Sequence, residues 1–218
     1  MGKSRQSSTK HEGQLPQFKK DLPSDRLVDK MRDWQDMPGD SPDVVLTDED
    51  IEFVKTHMQN SGDDENVPTG HLTRVEHAYH FLDLNLKEGD ILNTNSIFRA
   101  FSRGPDGTNF YMMDNFGRKE PIVIYRTSGN VPHFNITKHT DQFQKESESW
   151  IETGKLRIDK ITHYTSETDD MKKVMIDNLH LENYPRELEM YDEDYIRDNG
   201  GFDPTPQDVI FVDVSYVE

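Results

Sequence analysis

Between Phe143 and Ile161 the chain reads Phe143-Gln144-Lys145-Glu146-Ser147-Glu148-Ser149-Trp150-Ile151-Glu152-Thr153-Gly154, then Lys155-Leu156-Arg157-Ile158-Asp159-Lys160-Ile161. The second run alternates apolar and polar residues, the pattern of a half-buried strand. The first holds two carboxylates two residues apart, with an aromatic three residues before them. In an extended chain successive side chains point to opposite faces, so Glu146 and Glu148 share one face. Two carboxylates so placed at the start of a strand can stabilise a cationic transition state and orient a nucleophile. The same spacing also fits an acidic strand edge facing water. Other stretches supply partners for a sheet. Glu120 to Tyr125 reads as a buried strand, bounded by Gly129-Asn130 as turn chemistry, and Val209 to Val217 alternates like a strand returning to complete the sheet. Residues 71–125 mix short apolar runs with Gly, Asn and Asp turns, which predicts strands rather than long helices.

Helices are predicted before that sheet. Leu27, Val28, Met31 and Trp34 follow a helical spacing with Ser24 placed to cap it, and Thr47-Asp48-Glu49-Asp50 caps a second helix carrying Ile51, Val54 and Met58. The hydrophobic fraction of 32% is low for a packed chain of 218 residues, so peripheral segments are expected beside one core. Two stretches fit. Residues 1–20 hold five bases and one acid, a basic arm expected to be disordered. Residues 167–203 hold twelve acids and four bases, which predicts a solvated, loop-rich insertion. Net charge is −17 overall and −21 beyond the arm, so the body repels phosphate backbones and direct nucleic-acid binding is not expected. With no cysteine there are no disulfides and no thiolate chemistry, and no apolar run approaches a membrane span or a signal peptide. The expected setting is the cytoplasm.

The Phe143-x-x-Glu146-x-Glu148 run and the glycine-led strand after it resemble the loop-and-strand motif of the arginine–serine–glutamate class of mono-ADP-ribosyltransferases. The order of strand, turn, loop, Glu-x-Glu and strand over 120–161 is similar too. The resemblance covers residues 70–165 and, loosely, the last strand. It implies an α+β fold of two small, packed, mostly antiparallel sheets forming a split NAD cleft, with helices added at the N-terminus. The chain then divides into a basic arm at 1–23, a helical segment at 24–66, and a transferase-like domain at 67–218 with the acidic insertion at about 165–207. By the same resemblance Glu148 is catalytic, Glu146 orients and deprotonates an arginine acceptor, Phe143 contacts the acceptor protein, and NAD is the substrate.

Two further elements of that motif set match less closely. The family holds the dinucleotide phosphates with an arginine on an early strand, which suits a planar fork able to bond two oxygens. Arg74 in His71-Leu72-Thr73-Arg74-Val75 matches it, yet Leu72, Val75, Ala78 and Phe81 also follow a helical spacing, which leaves Arg74 open as a helix-surface charge. The family's Phe-x-Ser-Thr-Ser strand aligns with Phe98-Arg99-Ala100-Phe101-Ser102, so Ala100 stands at the first serine, and Ser102 or Ser96 must take its place. That departure keeps a second reading alive, a non-catalytic structural or binding protein on the transferase fold, such as a phage particle component. The resemblance implies a phage or bacterial type of transferase, acting in host cytoplasm or carried in a virion. Its acceptor protein would be basic, since an acidic body steers basic partners.

Other chemistries lack their patterns. His77 and His80 lie three apart without a third ligand at a metal-site spacing, so no metal is assigned, and His163 reads as a surface residue. No phosphate loop, dinucleotide-binding glycine fingerprint or nucleophile elbow is present. Trp150 is expected in the core, where large aromatics contribute most.

Overall fold

The computed structural model of the protein describes residues 22–36, 44–64, 67, 71–93, 96–105, 121–140, 147–198, 200 and 203–218. Helices α1 (Asp25–Asp36) and α2 (Asp48–Thr56) come first, then β1 (Gln59–Asn60), β2 (Thr73–His77), α3 (Ala78–Leu84) and β3 (Phe98–Ser102). β4 (Ile122–Ser128), β5 (Pro132–Asn135), β6 (Glu148–Glu152) and β7 (Leu156–Thr165) follow, then α4 (Met171–Leu179), α5 (Pro185–Glu189), α6 (Glu193–Asp198) and β8 (Asp208–Tyr216). The first 21 residues, and with them nearly all of the basic arm, lie outside the described residues.

Both N-terminal helices start where their caps predict. Ser24 Oγ accepts from the Leu27 amide at 3.2 Å. Thr47 and Asp50 form a reciprocal capping box, each side chain bonding the other's backbone amide. Asp50 also receives Arg26 and Lys30 of α1, both at 2.7 Å, which ties the two helices together.

The strands run in the order β1-β5-β6-β3-β2-β4-β8-β7, antiparallel except for β4 with β8. The joint between β3 and β2 is a single residue pair, Ser102 with Thr73. The fold is therefore α+β, with a mostly antiparallel sheet divided into two four-stranded halves that meet at one seam. The inner faces of both halves share one apolar cluster: Phe101 and Ile151 from the first pack with Val123, Tyr125, Val212 and Val214 from the second.

The outer faces are covered separately. Over the first half, Leu27, Met31 and Trp34 of α1 and Val54 of α2 pack on Phe98, Ala100, Phe134 and Trp150. Trp150 is fully buried, its ring 5.3 Å from Trp34 and 5.8 Å from Phe98, which bears out its place in the core. Over the second half, Met171, Met175 and Leu179 of α4, with Leu181 and Tyr191, pack on Val75, Ile122, Ile124, Val209 and Phe211. This corrects the expectation of a loop-rich, solvated acidic stretch. Residues 171–198 carry three helices, and Met171, Met175 and Leu179, four apart, form an apolar stripe on the sheet. The acids occupy the outward positions, so composition hid the periodicity.

Candidate active site at the seam

The seam aligns a row of side chains. Cross-strand partners share a face in a sheet. The register runs Glu148 of β6, Ser102 of β3, Thr73 of β2, Arg126 of β4 and Asp213 of β8. Glu148 opens β6 as the motif predicts. The amide of Arg103 donates to the Ser147 carbonyl at 3.0 Å, so Ser102 and Glu148 occupy the adjacent, non-hydrogen-bonded position of the ladder. There opposed side chains approach most closely, about 4.5–5.5 Å between Cβ atoms. Of the two candidate serines, Ser102 is thus the one opposite Glu148. Ser96 lies beyond the other end of β3, where its hydroxyl donates to the Phe98 carbonyl at 2.7 Å.

Ser147, just before the strand, has a φ of 50°, in the left-handed region, so the backbone is not extended at that residue. Such a conformation costs a non-glycine residue about 1–2 kcal/mol. The Ser147 carbonyl is held by two donors of one residue, the Arg103 amide and Arg103 Nε at 3.1 Å. Arg103 is buried and rests on Asp64 at 3.6 Å, which in turn meets His133 Nε2 at 3.2 Å. Burial pushes the His133 pKa down against the pull of Asp64, which favours the neutral ring. Glu146 and Phe143 lie outside the described residues.

Glu148 is half-buried. Its Oε2 is buried and has no hydrogen-bond partner among the described residues. Burial pushes the carboxyl above its usual 4.5, while the Gln35 side chain and the Arg74 charge pull it down. Gln35 comes from α1, and the sequence reading missed it. A signal existed: Leu27, Met31 and Gln35 are four apart, so Gln35 extends the buried stripe of α1 with a polar group.

Arg74 lies on strand β2 and not on a helix surface, since the helix begins only at Ala78. It is one residue past the row, opposite Tyr125. Because β2 and β3 pair at one point, the Ala100 carbonyl faces β2 without a ladder partner, and Arg74 Nη1 donates to it at 2.8 Å. Arg74 Nε donates to Glu76, which also receives Arg99 Nη2 at 2.6 Å. Arg74 therefore bridges the seam from within, close enough for Glu148 to feel its charge. Ala100 itself is buried opposite Trp150, where a small side chain leaves room for the indole.

On the other side of Thr73 a small pocket of about 220 Å³, counted to its mouth, is lined by His71, Thr73, Arg126, Asn178, His180 and Tyr184. Arg126 is held there by Asp213 at 2.7 Å and by the Asn178 carbonyl at 2.6 Å. His77 and His80 lie instead beside Tyr79, with the His77 and Tyr79 rings stacked at 5.3 Å.

No family model and no curated protein matches the sequence. Among solved structures the chain is similar to the ADP-ribosyltransferase Vis in complex with agmatine, at 14% identity and a TM-score of 0.38, over 88% of this chain and 69% of that one. It is similar to Plx2a, an ADP-ribosyltransferase toxin from Paenibacillus larvae, at 11% identity and a TM-score of 0.40, over 92% and 90% of the two chains. A third is the ADP-ribosylating toxin BECa of a binary enterotoxin of C. perfringens, solved with NADH, at 11% identity and a TM-score of 0.39, over 89% of this chain and 44% of that one.

Proposed function

We propose that the chain is an NAD-dependent mono-ADP-ribosyltransferase that modifies a basic protein acceptor on arginine. The observation that carries this reading is Glu148: a half-buried residue whose Oε2 is buried and unpartnered among the described residues, opposite Ser102 at the point where the sheet parts. Structural carboxylates are paired when buried, and an unpaired one with a perturbed pKa marks a reactive site.

In this reading the bond between the ribose anomeric carbon and nicotinamide breaks, and its electron pair leaves with nicotinamide. The ribose carbon becomes oxocarbenium-like, and the Glu148 carboxylate stabilises that charge while accepting a hydrogen bond from a ribose hydroxyl. An arginine nitrogen of the acceptor then bonds to the carbon, and Glu146 takes the proton it loses. Phe143 contacts the acceptor, and Ser102 supports Glu148 in place of the serine that Ala100 replaces. Arg74 serves the NAD phosphates, exchanging the Ala100 carbonyl for phosphate oxygens as NAD enters. The net charge of −17 steers a basic acceptor toward the site.

The test is incubation with labelled NAD and a host lysate, alongside an NAD-cleavage assay. Wild type should transfer label, and Glu148→Gln should lose both transfer and cleavage by a factor on the order of a hundred to a thousand. Glu146→Gln should impair transfer while sparing cleavage, because water needs less orientation than a guanidinium. Equal activity in wild type and Glu148→Gln would remove the assignment.

A second reading is favoured by one pair of observations. Ala100 stands at the family's serine, and the Arg74 fork is engaged by Ala100 and Glu76. A non-catalytic binding or virion protein on the same fold would share both features. Wild type without transfer or cleavage decides for it.

A further inference from the structure

We propose that Gln35 is the positioning residue of Glu148: its amide nitrogen holds the carboxylate at the seam, and Thr140 orients that amide. This deepens the transferase reading and rests on it for its catalytic meaning.

Thr140 Oγ1 donates to Gln35 Oε1 at 2.7 Å, and both residues are buried. With its oxygen engaged, the amide turns its nitrogen the other way. Gln35 Nε2 is buried without a hydrogen-bond partner among the described residues, as is Glu148 Oε2. The Gln35 side chain lies against the Glu148 carboxyl and favours its ionised form. An orphan donor thus sits beside an orphan acceptor, each next in sequence or strand to a buried tryptophan, Trp34 and Trp150. Leaving either unpaired costs about 1–3 kcal/mol, more for a charged group, so the two are poised to pair when no substrate hydroxyl occupies the Glu148 oxygen. The opposite amide orientation would set its oxygen against a carboxylate oxygen, two acceptors facing each other.

The same arrangement explains why α1 covers this half of the sheet. Leu27, Met31 and Trp34 anchor the helix, and Gln35 in its last turn meets Thr140 and the Glu148 carboxyl. Among the described residues the charged group acting on Glu148 from a neighbouring element is Arg74 on β2, while Arg103 is engaged by the Ser147 carbonyl and Asp64. A guanidinium does not titrate in the carboxyl range, so a change in the Glu148 titration reports on Gln35.

The experiment follows the Glu148 carboxyl by ¹³C NMR of the full chain, assigned by the signal lost in Glu148→Gln. Gln35→Leu should move its titration to higher pH and lower kcat for NAD cleavage on the order of ten- to a hundredfold, with KM little changed. Thr140→Val should move the titration the same way, and Thr140→Ser, which keeps the hydroxyl, should titrate like wild type. That pair keeps the test open if Gln35→Leu does not fold. A Glu148 titration unchanged in folded Gln35→Leu, or identical in Thr140→Val and Thr140→Ser, overturns the proposal. If the titration shifts but wild type cleaves no NAD, the contact stands and the transferase reading is what fails.

Discussion

The two halves of the sheet treat charge in opposite ways along one row. In the second half, Arg126 and Asp213 face each other across β4 and β8 at 2.7 Å, with the Asn178 carbonyl on Arg126 and the Phe211 ring beneath it at 5.7 Å. In the first half, Glu148 faces a serine and an amide, and one of its oxygens has no partner among the described residues. A half-buried ion pair that also holds a backbone carbonyl fixes the strands it joins. A half-buried carboxyl with one buried oxygen left unpartnered among the described residues is instead a candidate reactive group. The coverings differ as well. The outer cluster of the first half centres on the rings of Trp34, Phe98, Phe134 and Trp150, and that of the second on Met171, Met175, Leu179 and Leu181.

The largest expected effect breaks the covering of the first half. Trp150→Ala removes a fully buried ring that touches Trp34, Phe98 and Phe134, and should cost about 3–5 kcal/mol of unfolding free energy in denaturant titration. A loss below about 1 kcal/mol would show that α1 does not depend on that ring.

Next, Asp213→Ala strands Arg126 in its partly buried place. The expected loss is about 2 kcal/mol, the scale of hydrogen bonds to a charged group, read from the same titration. Glu148→Gln should behave oppositely. Its folded pKa is raised, so ionisation of the carboxyl opposes folding above that pKa, and the penalty disappears as pH falls below the unfolded value. The variant should therefore have a Tm slightly above wild type at neutral pH, with the gap closing in acid. If Glu148→Gln destabilises at neutral pH as Asp213→Ala does, the contrast between the halves collapses.

The smallest effect concerns the entry to β6. Ser147→Gly relieves a left-handed φ of 50° but loosens the unfolded chain, so stability should change by less than about 1 kcal/mol. On the proposed function NAD cleavage is the sharper readout, because the turn precedes Glu148 directly and its loosening should lower kcat before it lowers Tm.

Local spacing alone determined much of this molecule. Ser24 and the Thr47–Asp50 box mark where two helices begin, because a cap needs only residues within one turn. The alternation at 156–161 and 209–217 marks β7 and β8, and Glu148 falls at the head of a strand as its motif implies. Phe143 and Glu146 keep their sequence-based roles as proposals. Where two periods competed, only tertiary structure decided. Residues 72–81 satisfy a helical spacing, yet Thr73–His77 pairs with β4 over five residues, and those long-range hydrogen bonds outweigh the local preference until Ala78. The acidic stretch hid the stripe of Met171, Met175 and Leu179 because charge count ignores which face a residue occupies. The seam itself is the clearest case. Gln35, Arg74, Ser102 and Glu148 come from four elements spread over more than a hundred residues, and no local pattern relates them. Short-range spacing tells what each segment can form. Which side chains meet, and that Glu148 Oε2 is left unpartnered among the described residues, follows from how the segments pack.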